Sequence, residues 1–316
     1  MGQEKDVALS LARLREKGWD GEGLGLLRGR LLPNESLAPY TSWRVGGPAD
    51  FVYLPSDIKD LAVFLQLLPS EVPLNWLGLG SNTLVRDGGL EGVVIVTQGA
   101  LSGLAQEANS IRAEAGVSCA QLARFSARLA LQGIEFMAGI PGTVGGALAM
   151  NAGCYGGETW QFVSQVETIN RQGECKLRPV SDFEASYRHV KRPADEWFVA
   201  GYFQVVSGDK TEALEKIRQL IEKRNASQPT GLPNCGSVFR NPPENYAARL
   251  IEQCGLKGFK KGGALVSEKH ANFIINEGNA KAADIEALVE EIRTIVETKE
   301  GIRLIPEVCM MGKSTR

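Results

Sequence analysis

Residues 136–157, FMAGIPGTVGGALAMNAGCYGG, contain seven glycines and no charged side chain. A run this rich in glycine resists continuous helix or strand, because glycine loses more backbone freedom on ordering than any other residue. It is apolar enough to raise the question of a membrane hairpin, but its glycines, Pro141 and Asn151 weigh against one. Two readings stay open on composition. One is a buried packing loop. The other is a cradle in which backbone N–H groups turn inward to meet a phosphate with no Cβ in the way.

A second stretch, Gly78-Leu79-Gly80-Ser81-Asn82-Thr83-Leu84-Val85, follows a strand-like run. It opens like GxGxxG, but Thr83 takes the third place and Asp87-Gly88-Gly89 follows instead of a helix. It is therefore not a Rossmann fingerprint. Neither stretch carries GKS or GKT, so no P-loop is indicated. Two neutral, glycine-rich loops point to a pyrophosphate held by backbone dipoles rather than lysines, and a flavin dinucleotide meets that description.

Charge is balanced, with 35 Lys and Arg against 37 Asp and Glu, so nucleic-acid binding is not indicated. A hydrophobic fraction of 43% allows an ordinary core. No apolar run approaches the ~18 residues of a membrane span. The N-terminus, MGQEKDVALSLARLREKG, carries charges throughout and lacks the apolar centre of a secretory signal. Asp6 stands where a myristoylation motif needs Ser or Thr. The six cysteines form no CxxC and only two histidines accompany them, so free thiols in a reducing cytoplasm are expected rather than disulfides or a metal site.

A length of 316 residues is room for more than one average domain. Periodicity predicts a short helix over 4–17, then a loop-rich segment over 18–48. A β-α-β-β unit follows, with strands at 50–54, 74–79 and 93–96 and a helix over 57–68. Ser118 and Gln121 match a capping box for a helix over 118–131 that Gly133 ends. Antiparallel strands are expected at 165–170, 176–180 and 197–205. The character changes near 208–212, where a domain boundary is placed. Beyond it come a long helix closed by Pro229, a short helix over 246–254, a strand over 272–276, a helix stopped by Gly301 and a terminal strand over 303–308.

Three further segments carry possible chemistry: Ser186-Tyr187-Arg188-His189, Asn234-Cys235-Gly236-Ser237-Val238-Phe239-Arg240-Asn241-Pro242, and Ile305-Pro306-Glu307-Val308. Each alone has an ordinary explanation: a surface arginine, a turn serine, a glutamate on the wet face of a strand. Cys235 as a nucleophile would need a base, and neither histidine offers a thiol-protease context.

In chain order, GLGSNTLVRDGG, AGIPGTVGGALAMNAGCYGGE, SYR, CGSVFRNP, SEKHANFIIN and IPEV resemble the motifs of the UDP-N-acetylenolpyruvoylglucosamine reductases, flavoenzymes of peptidoglycan precursor synthesis. The likeness runs from Tyr40 to Gly312. It implies a mixed α+β and α/β chain with an FAD-binding fold of the vanillyl-alcohol oxidase type. Two FAD-binding subdomains are implied, over 20–97 with 306–316 and over 98–209, with an α+β substrate domain over 210–305. Non-covalent FAD contacts are implied at Leu79, Gly80, Ser81, Asn82, Thr83 and Leu84, and at Gly139, Ile140, Pro141, Gly142, Thr143, Gly145, Gly146, Ala147 and Asn151. No metal is implied.

The implied reaction has two halves. NADPH reduces the flavin, and the enolpyruvyl ether of UDP-N-acetylglucosamine then takes a hydride and a proton to become UDP-N-acetylmuramate. Hydride addition leaves negative charge on the α-carbon, delocalised into the carboxylate. The resemblance assigns stabilisation of that charge to Arg188 and Glu307 and proton donation to Ser237. Weaker substrate contacts are implied at Tyr187, Arg240 and Asn241. Some relatives insert a tyrosine-bearing loop between the SYR-like and GS-like motifs, but only 48 residues separate Arg188 from Ser237, which matches a shorter subtype. Small-molecule partners, a cytoplasmic location, no nucleic acid or membrane, and a monomer or weak oligomer complete the expectation. Another FAD oxidoreductase of the same fold, or a non-catalytic nucleotide-sugar binder, remain as alternatives.

Overall fold

A computed structural model describes residues 15–16, 18–19 and 23–315. The helix expected over 4–17 lies almost wholly outside them. The chain divides into two compact units, one of residues 1–35, 50–79 and 92–222, the other of 36–49, 80–91 and 223–316. The division after Glu222 falls inside a helix, Lys210–Ser227, later than the composition change near 208–212. Ala213 and Ile217 account for this, because both are buried in a core of the first unit.

The first unit has two cores. One lies under a four-stranded sheet ordered Arg30–Ser36, Pro48–Leu54, Leu90–Val96, Leu74–Leu77, its last pair parallel. The helix Ile58–Leu67 buries Leu61, Phe64 and Leu65 there, and the Phe64 ring stacks on Tyr53 at 3.8 Å. Strand Arg30–Ser36 forms where only loops were expected. Its sequence, RLLPNES, has no alternation and contains Pro33, which is tolerated because the strand sits at the sheet edge.

Asp60 anchors this layer. Its carboxylate accepts from Tyr53 Oη at 2.6 Å, Ser56 N at 2.9 Å and Arg28 N at 2.7 Å. Burial opposes the charged form, but these donors outweigh it and hold the Asp60 pKa below its ordinary value. A carboxylate depressed on folding stabilises above its unfolded pKa, and that stability is lost as pH falls through the folded value. Asp60→Asn is therefore expected to lower Tm at pH 7, with the gap to the native chain narrowing below pH ~4. A gap independent of pH in thermal melts would show that the charge does not matter.

The other core lies under a five-stranded antiparallel sheet ordered Cys175–Pro179, Val163–Asn170, Glu196–Gln204, Ser110–Glu114, Leu104–Glu107. The three strands expected here form within a few residues of their expected bounds. The hairpin of the last two was missed, because LAQE is nearly all exposed and gives no apolar signal. Helix Cys119–Arg128 starts on the expected Ser118–Gln121 capping box. It ends earlier than expected. Ala130, at φ 56°, takes the left-handed position assigned to Gly133.

The glycine run is not all loop. A 3-10 turn, Glu135–Gly139, leads through Ile140–Thr143 into a short α-helix, Val144–Met150. Val144, Ala147 and Leu148 share its buried face at helical spacing, and packing of that face overrides the weak propensity of Gly145 and Gly146.

The second unit packs helices Ala247–Gln253 and Ala282–Glu300 with a three-stranded sheet of Lys260–Lys261, Ala264–Val266 and Ile274–Asn276. Gly255 and Gly301 close the two helices in left-handed conformations, as their positions imply. Asp87, in the VRDGG motif, accepts from Ala282 N at 3.0 Å and Ala283 N at 2.9 Å and so caps the long helix. The terminal strand is Cys309–Met311, parallel to Thr83–Val85, not 303–308 as expected. Pro306 lacks an N–H and reduces the earlier segment to an isolated bridge with Phe239. Among the described residues no helix is long and apolar enough to cross a membrane.

Candidate active site

In the first unit the glycine run meets the strand end at Gly78. Thr143 is 2% exposed and its Oγ1 has no hydrogen-bond partner among the described residues. A Cβ at Gly78 would be driven into that oxygen, so only glycine allows this approach. Gly78 opens the second glycine-rich stretch of the sequence, although the resemblance implied contacts only from Leu79 onward. A buried, unsatisfied hydroxyl beside bare backbone fits a ligand that brings its own acceptors, as a phosphate does. The glycines of the run differ in their jobs. Gly145 donates to Ala115 O at 2.9 Å and a Cβ there would lie 2.9 Å from the Ala115 side chain, so it serves packing. Gly146 is exposed, and a Cβ there would meet nothing closer than Thr143 Oγ1 at 3.7 Å.

Asn151 was expected at the cofactor. It ends the short helix at φ 42°, and its side chain donates to Glu158 Oε2 at 2.9 Å and to Ser186 O at 3.2 Å and accepts from Trp160 N at 3.1 Å. Both amide hydrogens are engaged inside the protein, so Asn151 ties the helix end to the turn that carries Arg188. That turn joins strands Glu184–Ser186 and His189–Lys191. Arg188 occupies the left-handed region at φ 56°, which costs a side-chain-bearing residue ~1–2 kcal/mol. Its terminal nitrogens donate to Gly153 O at 3.4 Å, and its guanidinium lies 5.4 Å from the Tyr187 ring centre. Tyr187 is 53% exposed.

The second unit holds Ser237 and Glu307 on paired segments. Glu307 N donates to Val238 O at 2.8 Å and Arg240 N to Ile305 O at 2.9 Å. Ser237 follows a tight turn in which Gly236, at φ 78°, donates to Asn234 Oδ1 at 2.9 Å. The Ser237 side chain is half-buried, and no hydrogen bond ties its hydroxyl to another described residue. Asn82 Nδ2 donates to Glu307 O at 3.1 Å, and Asn82 O accepts from Cys309 N at 2.9 Å. The GSNT motif therefore also steadies the glutamate backbone. The Ser42 hydroxyl donates to Gly80 O at 3.3 Å.

Arg240 Nε is buried without a hydrogen-bond partner among the described residues, as suits a contact to an incoming anion. Asn241 has a structural task instead. Its Oδ1 accepts from Ala247 N at 3.1 Å and caps the short helix that Tyr246 leaves uncapped. Burial, and then the nearby Glu307 charge, push the Cys235 thiol far above its ordinary pKa, so it is neutral and no nucleophile. Two residues outside the expected set shape this region: Asn272, which grips Phe239, and Trp43, whose Nε1 donates to Ile274 O at 2.7 Å.

Two family models match the chain. An FAD-binding domain covers residues 49–177, and the C-terminal domain of UDP-N-acetylenolpyruvoylglucosamine reductase covers 228–311. The reductase of Legionella pneumophila strain Corby is 57% identical over 93% of this chain and 96% of that protein. The chain belongs to the UDP-N-acetylenolpyruvoylglucosamine reductase family. The reductase of Coxiella burnetii strain Dugway 5J108-111 is 52% identical and is covered in full. A solved reductase from Thermus caldophilus superposes with a TM-score of 0.76 at 30% identity, over 90% of this chain and all of that one. The fold is thus mixed α and β, an FAD-binding domain followed by the C-terminal domain of this family.

Proposed function

We propose that this chain reduces the enolpyruvyl ether of UDP-N-acetylglucosamine to UDP-N-acetylmuramate, with FAD as cofactor and NADPH as hydride donor, in peptidoglycan precursor synthesis. The observation that carries the reading is the backbone pairing of 238–240, which follow Ser237, with the 305–307 segment that bears Glu307, found in a chain 57% identical to a reductase of that name. FAD, when bound, would supply the two-electron hydride chemistry that links NADPH to the substrate's double bond. Thr143, Gly142, Gly146 and the Gly78–Leu79 backbone hold its phosphates with neutral donors. Arg188 grips the substrate carboxylate and stabilises the charge that grows there. Glu307, once it has taken up a proton in the substrate complex, donates a hydrogen bond that stabilises the same developing charge. Ser237 delivers the proton to the α-carbon, a step open to a weakly acidic hydroxyl because the enolate is a strong base. Arg240 and Tyr187 contact the sugar nucleotide. The chain acts in the cytoplasm as a monomer or weak oligomer.

The purified protein is expected to be yellow and to release free flavin on acid denaturation. Gly146→Asp tests the cradle most cleanly, because an added side chain has room there. A carboxylate beside the pyrophosphate repels it. The expected result is flavin loss with an unchanged circular dichroism spectrum and melt of the apoprotein. Gly145→Asp serves as contrast, since it collides with Ala115 and unfolds the helix. Full flavin retention in Gly146→Asp would remove the short helix from the cofactor site.

A further inference from the structure

Phe239 stands opposite Pro306 in the pairing of 238–240 with 305–307. The bonds of that pairing flank it: Arg240 N to Ile305 O and Glu307 N to Val238 O. In this antiparallel pattern the N–H and C=O of Phe239 point away from Pro306. Phe239 is 1% exposed, so both groups need partners inside the protein. No strand among the described residues supplies them on that side. The Asn272 side chain does. Its Oδ1 accepts from Phe239 N at 2.9 Å, its Nδ2 donates to Phe239 O at 2.8 Å, and its backbone carbonyl accepts from Val238 N at 2.9 Å. One carboxamide, itself 3% exposed, acts as the missing neighbour strand.

We propose that Asn272 is a positioning residue for the second half-reaction, fixing the 238–240 segment against 305–307 and thereby the place of Ser237, the residue just before it. The inference rests on the function proposed above. Ser237 lies between two points set by asparagines, the Asn234 turn before it and the Asn272 clamp after it. Two backbone bonds flank Phe239 and join this segment to 305–307, and loss of the clamp frees the N–H and C=O of Phe239 to seek other partners. The segment then shifts and carries the Ser237 hydroxyl with it. Asn82 holds the Glu307 carbonyl independently of Asn272, so the glutamate stays while the serine moves.

The test uses the full-length, FAD-loaded protein and follows each half-reaction by rapid mixing in Asn272→Ala and Asn272→Asp. Flavin reduction by NADPH is expected to stay near the native rate. Reoxidation by the enolpyruvyl substrate is expected to slow by ~10-fold to 10² in Asn272→Ala, the range that misplacement by about 1 Å produces. Asn272→Asp keeps the acceptor for Phe239 N and loses the donor to Phe239 O, so its rate should fall between. If Asn272→Ala does not fold, this near-isosteric variant decides. Equal slowing of both halves means a general structural role and overturns the inference. Native rates in folded Asn272→Asp overturn it too. If the native chain, once reduced, is not reoxidised by the enolpyruvyl substrate, the proposed function fails and this inference with it.

Discussion

Replacing Ser237 by alanine is expected to leave flavin reduction by NADPH nearly intact and to slow reoxidation by the enolpyruvyl substrate by ~10² or more, the usual size of a lost general acid. The asymmetry follows from the chemistry, because only the second half delivers a proton to carbon. The structure makes the substitution clean. The Ser237 hydroxyl is not tied to another described residue, so its removal breaks no internal bond, and the segment stays held by Asn272 and by its pairing with 305–307. Stopped-flow absorbance separates the halves. Equal slowing of both would assign Ser237 to ligand binding or structure rather than to proton transfer.

Arg188→Lys is expected to remain seriously impaired in the second half-reaction although the charge is kept. Lysine cannot reproduce the planar two-point grip of a guanidinium on a carboxylate. A long side chain held on a left-handed turn residue is aimed by that turn, and the Asn151 tether to Ser186 O steadies it. Glu307→Gln keeps a hydrogen-bond donor and should lose less than Glu307→Ala. The proposed function has both residues act on one developing charge, and on that reading the Arg188→Lys, Glu307→Gln double variant should lose less than the product of the single losses. Losses that multiply fully, or a native rate in Arg188→Lys, would show that the two do not share an intermediate.

The family was legible because its motifs are local runs of residue types. Composition left the neutral glycine run open between a packing loop and a cradle, but the order of six short motifs identified the family. Capping boxes and apolar stripes placed the helices at 58–67, 119–128 and 282–300, since these signals lie within one or two turns. Strand Arg30–Ser36 and the hairpin of 104–107 with 110–114 were not legible. An edge strand with a proline and an exposed hairpin owe their form to neighbours in the sheet rather than to their own alternation.

The sequence by itself determined the family and with it the reaction class, because six short motifs in a fixed order carry the likeness wherever the chain places them. It did not determine which polar residues of a motif face a ligand and which hold the backbone. Asn82, Asn151, Asn241 and Asn272 are the same side chain in four motifs. In the structure they steady Glu307, tether the Arg188 turn, cap a helix and stand in for a strand beside Phe239. An amide donates and accepts with equal ease, so only the positions of unsatisfied N–H and C=O groups decide its task. Those positions are set by packing between segments as far apart in the chain as Asn82 and Glu307, and they exist only once the chain has folded.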